Sequence, residues 1–381
     1  MDFNVRISSR EAYVAPDRGA QGNAFKTMLA MPRVLDPEHG KLIVQAHGKR
    51  HVIICGADPI SQRGVINDDM QKLPTSGTEV RIEWQPQKQG RDDVWPFGLL
   101  AALHDDDFIR LVEGFSIFNP HATFRLDWFG EETIWNATNP TWSKWNPRRP
   151  TSARWYEVPH FERLIGAYVT HDRDNNSDRL VSEFVAEFDG LTGSQKRSRV
   201  LRETDLHRVR LSDLVVDSRL DRERIAGLLA SMQRHTRPVD SKRLGIIGEE
   251  HFRARLLTMG VVPESFRYER KLAKCKKQQE GADDKACFTD DLPGVLEVAF
   301  GWLGDEACES RRIYTGVNWS AAIHNPFRSF GPNSDGLEGA LWDLEAGEHE
   351  PVIFIVHLAQ PRIEYTDRGK SAIVIGGKHD D

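Results

Sequence analysis

The sequence is short of the features that mark a secreted, membrane-spanning or metal-built protein. Its 381 residues include four cysteines, Cys55, Cys275, Cys287 and Cys308, with no C-x-x-C spacing among them. That argues against both a thiolate zinc site and a disulfide framework. No apolar run approaches the roughly 20 residues of a membrane-spanning helix. The opening MDFNVRISSREAYV lacks the apolar stretch behind basic residues that a secretory leader carries. The expectation is a soluble protein of the reducing cytoplasm, with no metal site of its own and no membrane partner. An excess of positive charge is missing too: 51 Lys and Arg stand against 57 Asp and Glu, a net charge of −6. Any contact with a polyanion therefore has to come from a local patch. Internal repeats, low-complexity tracts, G-x-G-x-x-G and the Walker pattern are all absent.

What is present suits two or three domains of mixed helix and sheet, an α+β class. Residues 4–13 and 41–55 have the β-branched content of strands, and between them RGAQGNAFKTMLAMP reads as a glycine loop opening a helix. In LPTSGTEVRIEWQP a turn on Pro74, Ser76 and Gly77 launches a strand with Val80, Ile82 and Trp84 alternating. Residues 98–118 are predicted helical as far as Phe115, followed by a turn at Asn119-Pro120 and a hairpin. From Ile134 to Trp155 no period holds, and Pro140, Pro147, Pro150 and Pro159 break any long element, so residues 134–159 read as a linker or a surface-wrapping loop. Helical periodicity dominates 160–240. The tail, 241–381, alternates the strand-like runs GVLEVAFGWL, RRIYTGVNW, PVIFIVHLA and SAIVIGG with the helix-like DGLEGALWDL.

Candidate chemistry begins at Gly19 and Gly22, which frame a turn ahead of a helix carrying Lys26. Backbone N–H groups and a helix N-terminus there can face a phosphate, and the same residues serve equally as a plain turn and cap. Thr78 follows Gly77 at the start of a strand, where its hydroxyl can reach a ligand or simply open the strand. Between Ser194 and Arg243 thirteen Lys or Arg face seven Asp or Glu, a surplus of +6 that leaves −12 on the rest of the chain. Lys196, Arg197, Arg199, Arg208 and Arg210 are its candidate phosphate contacts, against the alternative of a solvated basic face. The carboxylates of HDDD (104–107) point in different directions on a helix, and His121 and His357, alone on apolar runs, read as satisfied core residues.

In this order the glycine loop, helix, two strands and Gly-Thr strand resemble the second half of the Bergerat nucleotide-binding fold of gyrase, histidine kinases and MutL, the GHKL ATPases. Later segments resemble the B subunit of topoisomerase VI in particular. GFSIFNPHATFRLDW is similar to the Asn-Pro-His segment closing the ATPase domain, and TRPVDSKRLGIIGEEHF to the join between a helix-two-turn-helix insert and the transducer domain. VLEVAFGW with RRIYTGVNWSAA is similar to the transducer strand and the region beyond it. PVIFIVHLAQPRIEYTDRGKSAI resembles the transducer strand and the loop with its switch lysine, which puts that lysine at Lys370.

The resemblance implies an incomplete GHKL ATPase α/β sandwich over 1–133, a helix-two-turn-helix-like module over 160–240, and a transducer-like domain of the ribosomal S5 domain 2 type over 241–381. It implies that Gly19, Gln21, Gly22, Asn23 and Lys26 hold the phosphates of ATP, that Thr78 supports the adenine side, and that Lys370 reads the γ-phosphate. Its implied partners are DNA, a tyrosine-bearing A-type subunit that cuts it, and a second copy clamped by ATP. MutL shares the loop and the lysine without the helical insert. The Glu-x-x-x-Asn helix that binds Mg²⁺ and the Asp-x-Gly adenine reader precede the glycine loop in the family. Neither occurs in the eighteen residues before Gly19, so the Mg²⁺ ligands are expected upstream and this chain is expected not to hydrolyse ATP. The contrasting expectation is a non-enzymatic adaptor for DNA or a protein, with a vestigial nucleotide loop.

Overall fold

The glycine-rich segment leads into helix α1 (Asn23–Leu35) in the computed structural model. It describes residues 12–17, 23–58, 60, 63–74, 76–85, 105–146, 148–273, 292–304, 310–328, 336–366 and 371–374. The strand reading of 4–13 lies almost wholly outside them. The chain divides into two compact units, one of residues 1–11 and 19–106, the other of 12–18 and 107–381. The sequence reading kept residues up to 133 with the first part, whereas compactness divides the chain after Asp106.

In the first unit, the β-branched run after α1 is two strands, β1 (Lys41–Ala46) and β2 (Lys49–Ala57). His47 and Gly48 turn the chain with φ of 51° and 73°, the left-handed pair that a two-residue hairpin needs. β3 (Gly64–Lys72) and β4 (Thr78–Glu83) complete an antiparallel sheet in the order β3-β2-β1-β4. The sequence reading had two strands before the Gly-Thr strand, and β3 is a third. Nearly all of GVINDDMQK is exposed, with Ile66 alone half-buried, so it carries no alternation to detect. Helix α1 lays Phe25 and Leu29 on one sheet face, against Leu42, Val44, Ile53, Cys55, Ile66 and Ile82.

After segment 12–17 the second unit continues with α2 (Asp105–Phe118), which runs three residues past its predicted end at Phe115, and the predicted hairpin follows as β5 (Phe124–Trp128) and β6 (Glu131–Trp135). Asn119 ends α2 by donating to the Phe115 carbonyl at 2.9 Å. Residues 136–156 do wrap, but their aromatic side chains are core. Trp145 and Trp155 are 2% and 1% exposed and meet edge to face at 5.2 Å. The Trp145 N–H donates to the Leu244 carbonyl at 2.7 Å.

The helical stretch comprises α3 (Val158–Asp174), α4 (Val181–Ala186) and α5 (Ser194–Glu203), the short hairpin β7 (Val215–Val216) and β8 (Arg219–Leu220), and α6 (Arg222–His235). Pro159 sits in the first turn of α3, where its missing N–H has no partner to lose. Asp221 caps α6 by accepting from the Arg224 N–H at 3.1 Å. Phe161, Phe184 and Phe188 pack with Tyr156 at ring separations of 5.2–5.9 Å, a geometry that adds to the burial of their area.

Helix α7 (Glu249–Thr258) and strands β9 (Arg267–Leu272), β10 (Val295–Trp302), β11 (Arg312–Val317) and β12 (Ser320–Ala321) come next, then α8 (Gly336–Asp343) and β13 (Val352–Ala359). The sheet order is β12-β11-β13-β10-β9, with β11 and β13 parallel and the other pairs antiparallel. Among the described residues SAIVIGG contributes one bridge, Ile373 to Tyr365, rather than a strand. Val295, Ala299, Tyr314, Ile353, Ile355 and Ala359 face the same core as α2, the wrapping segment and the helices. On the other face Val356 and Leu358 pack with α8 through Leu337 and Leu341. The whole is a mixed helix-and-sheet, α+β protein. Among the described residues no helix is long and apolar enough to cross a membrane.

Candidate functional site

The short connection 36–40 between α1 and β1 reverses the chain, so α1 runs antiparallel to β1. Asp36 fixes that corner. Its carboxylate accepts from the N–H groups of Gln85 at 2.8 Å, His39 at 2.9 Å and Glu38 at 3.2 Å. These bonds, that from Gln85 foremost, hold it below the ordinary carboxylate range. Gly40 is required by close approach, since a Cβ there would lie 2.0 Å from the Pro32 carbonyl oxygen.

The end of α1 is thus tied to the residue two places beyond β4. Lys26, in the first turn of α1, is half-buried. Thr78 opens β4 opposite Ala46 of β1, its side chain exposed, after Gly77 at φ 77°. Lys26 and Thr78 are the two sequence-predicted residues of this unit whose side chains can be described. Gly19, Gln21, Gly22 and Lys370 lie outside the described residues, as does the side chain of Asn23.

The second unit holds buried polar groups that the sequence reading left aside. In β10 the alternation of VLEVAFGW turns Glu297 to the inner face with Val295 and Ala299, and Glu297 and His357 are both 0% exposed. The carboxylate of Glu297 accepts from the N–H groups of Gly248 at 2.8 Å and Ile247 at 3.1 Å and from the Tyr268 hydroxyl at 2.9 Å. His357 in β13 stands across the pair, its Nδ1 3.4 Å from the carboxylate, while its Nε2 accepts from the Trp319 N–H at 3.2 Å. That acceptor role puts the imidazole proton on Nδ1, facing Glu297. Burial opposes the charge on Glu297, but His357 and the two N–H groups outweigh it and keep the carboxyl below its ordinary value. Such a pair has a catalytic composition and no access to substrate. Its work is to tie the start of α7 to the middle of the sheet.

A second buried group surrounds His251 of α7. Its Nε2 donates to the Ile117 carbonyl at 2.8 Å, and Nδ1 meets the Thr138 hydroxyl. Burial, with Arg255 adding repulsion, drives the imidazole down to about 4. Arg255, itself buried, donates to the Asn136 carbonyl at 2.7 Å.

No family model matches the chain, and no curated relative does. Among solved structures it is similar to the B subunit of DNA gyrase from Myxococcus xanthus. The identity is 12% and the TM-score 0.31, over 98% of this chain and 74% of that one. At that score the elements themselves, and not the likeness, describe the fold.

The five basic candidates lie in or just after α5. Lys196 and Arg199 are exposed, three residues apart on its outer face, and Arg208 is exposed in the loop that follows. Arg197 is half-buried and donates to the Thr192 carbonyl at 3.0 Å. Arg210 donates to the Asp178 carbonyl at 2.6 Å and lies 3.9 Å from that residue's carboxylate. Structural contacts therefore occupy two of the five, leaving Lys196, Arg199 and Arg208 turned to solvent. Glu297 could have been found from the sequence, as the acid at an inward position of an alternating apolar strand. Asn318, Trp319 and Asn119 carry no such signal, because their partners are distant in the chain.

Proposed function

We propose that the chain is the ATP-binding subunit of a topoisomerase VI-like DNA topoisomerase, in which nucleotide binding clamps two copies and drives strand passage by a separate A-type subunit. The observation that supports this reading is the layout of the first unit. A glycine-rich loop in sequence feeds a helix that carries Lys26 in its first turn and packs on an antiparallel sheet, in which Gly77 and Thr78 open a strand. Loop N–H groups and a helix N-terminus bind phosphate oxygens through their partial positive charge. Lys26 adds a full one. Lys370 is the residue we assign to the terminal phosphate: a compact ammonium neutralises it and distinguishes ATP from ADP. The sheet containing β13, which ends eleven residues before Lys370, is the element that carries that signal onward. Lys196, Arg199 and Arg208 supply sequence-independent contact to DNA phosphates.

Calorimetry tests this with a non-hydrolysable ATP analogue and Mg²⁺, on this chain and on a form extended upstream, each with and without Lys370→Ala. Binding that weakens about tenfold in Lys370→Ala, about 1.4 kcal/mol, supports the ATPase subunit. If neither form takes nucleotide, the reading falls and a nucleotide-independent DNA or protein adaptor takes its place.

A further inference from the structure

The turn joining β11 to β12 is made by Asn318 and Trp319, with φ of 48° and 60°. A left-handed pair suits a two-residue hairpin, and Asn tolerates it, but a bulky Trp there is strained. Both residues are buried, at 4% and 2% exposure. Strain held at a buried turn points to what the turn is holding.

Asn318 uses both polar atoms of its side chain and its backbone N–H. Its side-chain amide donates to the Asp17 carbonyl at 2.9 Å and to the Gln360 carbonyl at 3.0 Å, and its Oδ1 accepts from the Gln360 N–H at 2.9 Å. Its own N–H donates to the Leu358 carbonyl at 2.8 Å. Trp319 engages on both sides as well, its N–H on His357 and its carbonyl accepting from the Asn119 side chain at 2.9 Å. The segment 12–17 has three further anchors: the Val14 N–H donates to the Tyr156 hydroxyl at 2.9 Å, the Val14 carbonyl accepts from Thr151 at 2.7 Å, and the Tyr13 hydroxyl donates to the Arg149 carbonyl at 3.3 Å.

One side chain thus joins a point two residues before Gly19 to a point ten residues before Lys370. We infer that Asn318 is a positioning residue that makes segment 12–17 and the outgoing end of β13 move as one body. On the nucleotide reading above, it keeps the approaches to the two phosphate-handling stretches in register. The clamp stands on its own geometry, and only its use in nucleotide sensing rests on that reading.

Hydrogen exchange on the whole chain tests the clamp. Asn318→Asp keeps the shape and the left-handed backbone but sets a carboxylate oxygen against two carbonyls. Asn318→Gly removes the side chain and fits the turn without strain, so it folds if the aspartate variant does not. In either variant, amides of 12–17 and of 360–366 exchange roughly fivefold faster, the loss of about one net hydrogen bond, while β10 is unchanged. Faster exchange in only one segment, or in neither, overturns the clamp.

A second arm adds the ATP analogue with Mg²⁺. Wild type gains protection at 360–366, whereas Asn318→Gly binds the analogue within about twofold of wild type and does not gain it. Protection that persists in Asn318→Gly overturns the positioning role. Absence of analogue binding to wild type counts against the nucleotide reading and leaves the clamp to the first arm.

Discussion

Acid should loosen the second unit well above the pH at which carboxylates take up protons, because of His251. The ring is 4% exposed, gives its Nε2 proton to Ile117 and meets Thr138 with Nδ1. Protonating Nδ1 would place a buried charge near Arg255. Its pKa in the folded chain is pushed down to about 4 from 6.5, so between those values the unfolded chain binds more protons than the folded one. The stabilisation is complete above about pH 6.5 and is lost as pH falls through 6.5 toward 4. The loss approaches roughly 3 kcal/mol by pH 4, at about 1.4 kcal/mol per unit shifted, a large share of the ~5–15 kcal/mol typical of a domain. Asp172, held at about 2 by its side-chain bonds from Arg179, acts in a separate window: its contribution is present above 3.8 and is lost toward 2. Urea unfolding followed by tryptophan emission, to which buried Trp145, Trp155 and Trp319 contribute, would be run from pH 8 to 4 on wild type and His251→Gln. Glutamine reaches about as far as Nε2 and still donates to Ile117, but it does not titrate. The difference between the two stability curves should be flat above pH 7 and change by roughly 3 kcal/mol on going to pH 4. Parallel curves across that range would refute the argument, because His160 and His121, also shifted down chiefly by burial, are present in both proteins.

Two glycines give opposite expectations in the same assay. A Cβ on Gly316 would sit 2.7 Å from the Phe118 ring, so Gly316→Ala should cost about 1–3 kcal/mol, whereas Gly227, inside α6 with open space around it, should gain about 0.5–1 kcal/mol as alanine. Glu297→Gln keeps an acceptor for one of the two backbone N–H groups and turns an NH₂ toward the other donors around it. It should lower stability by about 1–3 kcal/mol, read as an earlier urea midpoint with an unchanged slope.

The sequence made legible those elements whose cause is local. The alternation in VLEVAFGW and PVIFIVHLA, the periodicity of DRERIAGLLASMQRH and the Gly77-Thr78 turn all led to strands and helices close to their observed limits. β3 was invisible because almost nothing on it is buried. The stretch 134–159 reads as a loop for the right reason, its prolines and lack of period. Trp145 and Trp155 are nonetheless core, because tertiary partners such as Leu244 lie about a hundred residues away. Of the candidate site, residue types and spacing put forward the glycine loop, Lys26 and Thr78. The buried Glu297–His357 pair and the Asn318 clamp depend on strands brought together by topology, and no spacing along the chain encodes that. His357 shows the limit well: it was rightly placed in the core, with its partner out of sight.

The grip of Asn318 on Asp17 joins residues 301 positions apart, and Gln360, held by the same side chain, lies further along still. During synthesis, at roughly 5–20 residues per second, segment 12–17 is made roughly 20 to 70 s before Gln360. The helices around Phe161, Phe184 and Phe188 can assemble in that interval. The first-made segment of the second unit can therefore be held by Tyr156 and Thr151 well before Asn318 takes its grip. In a growing chain the link from that segment through Asn318 to the outgoing end of β13 closes only when the final strand arrives, and a messenger cut short before β13 yields a product that lacks it.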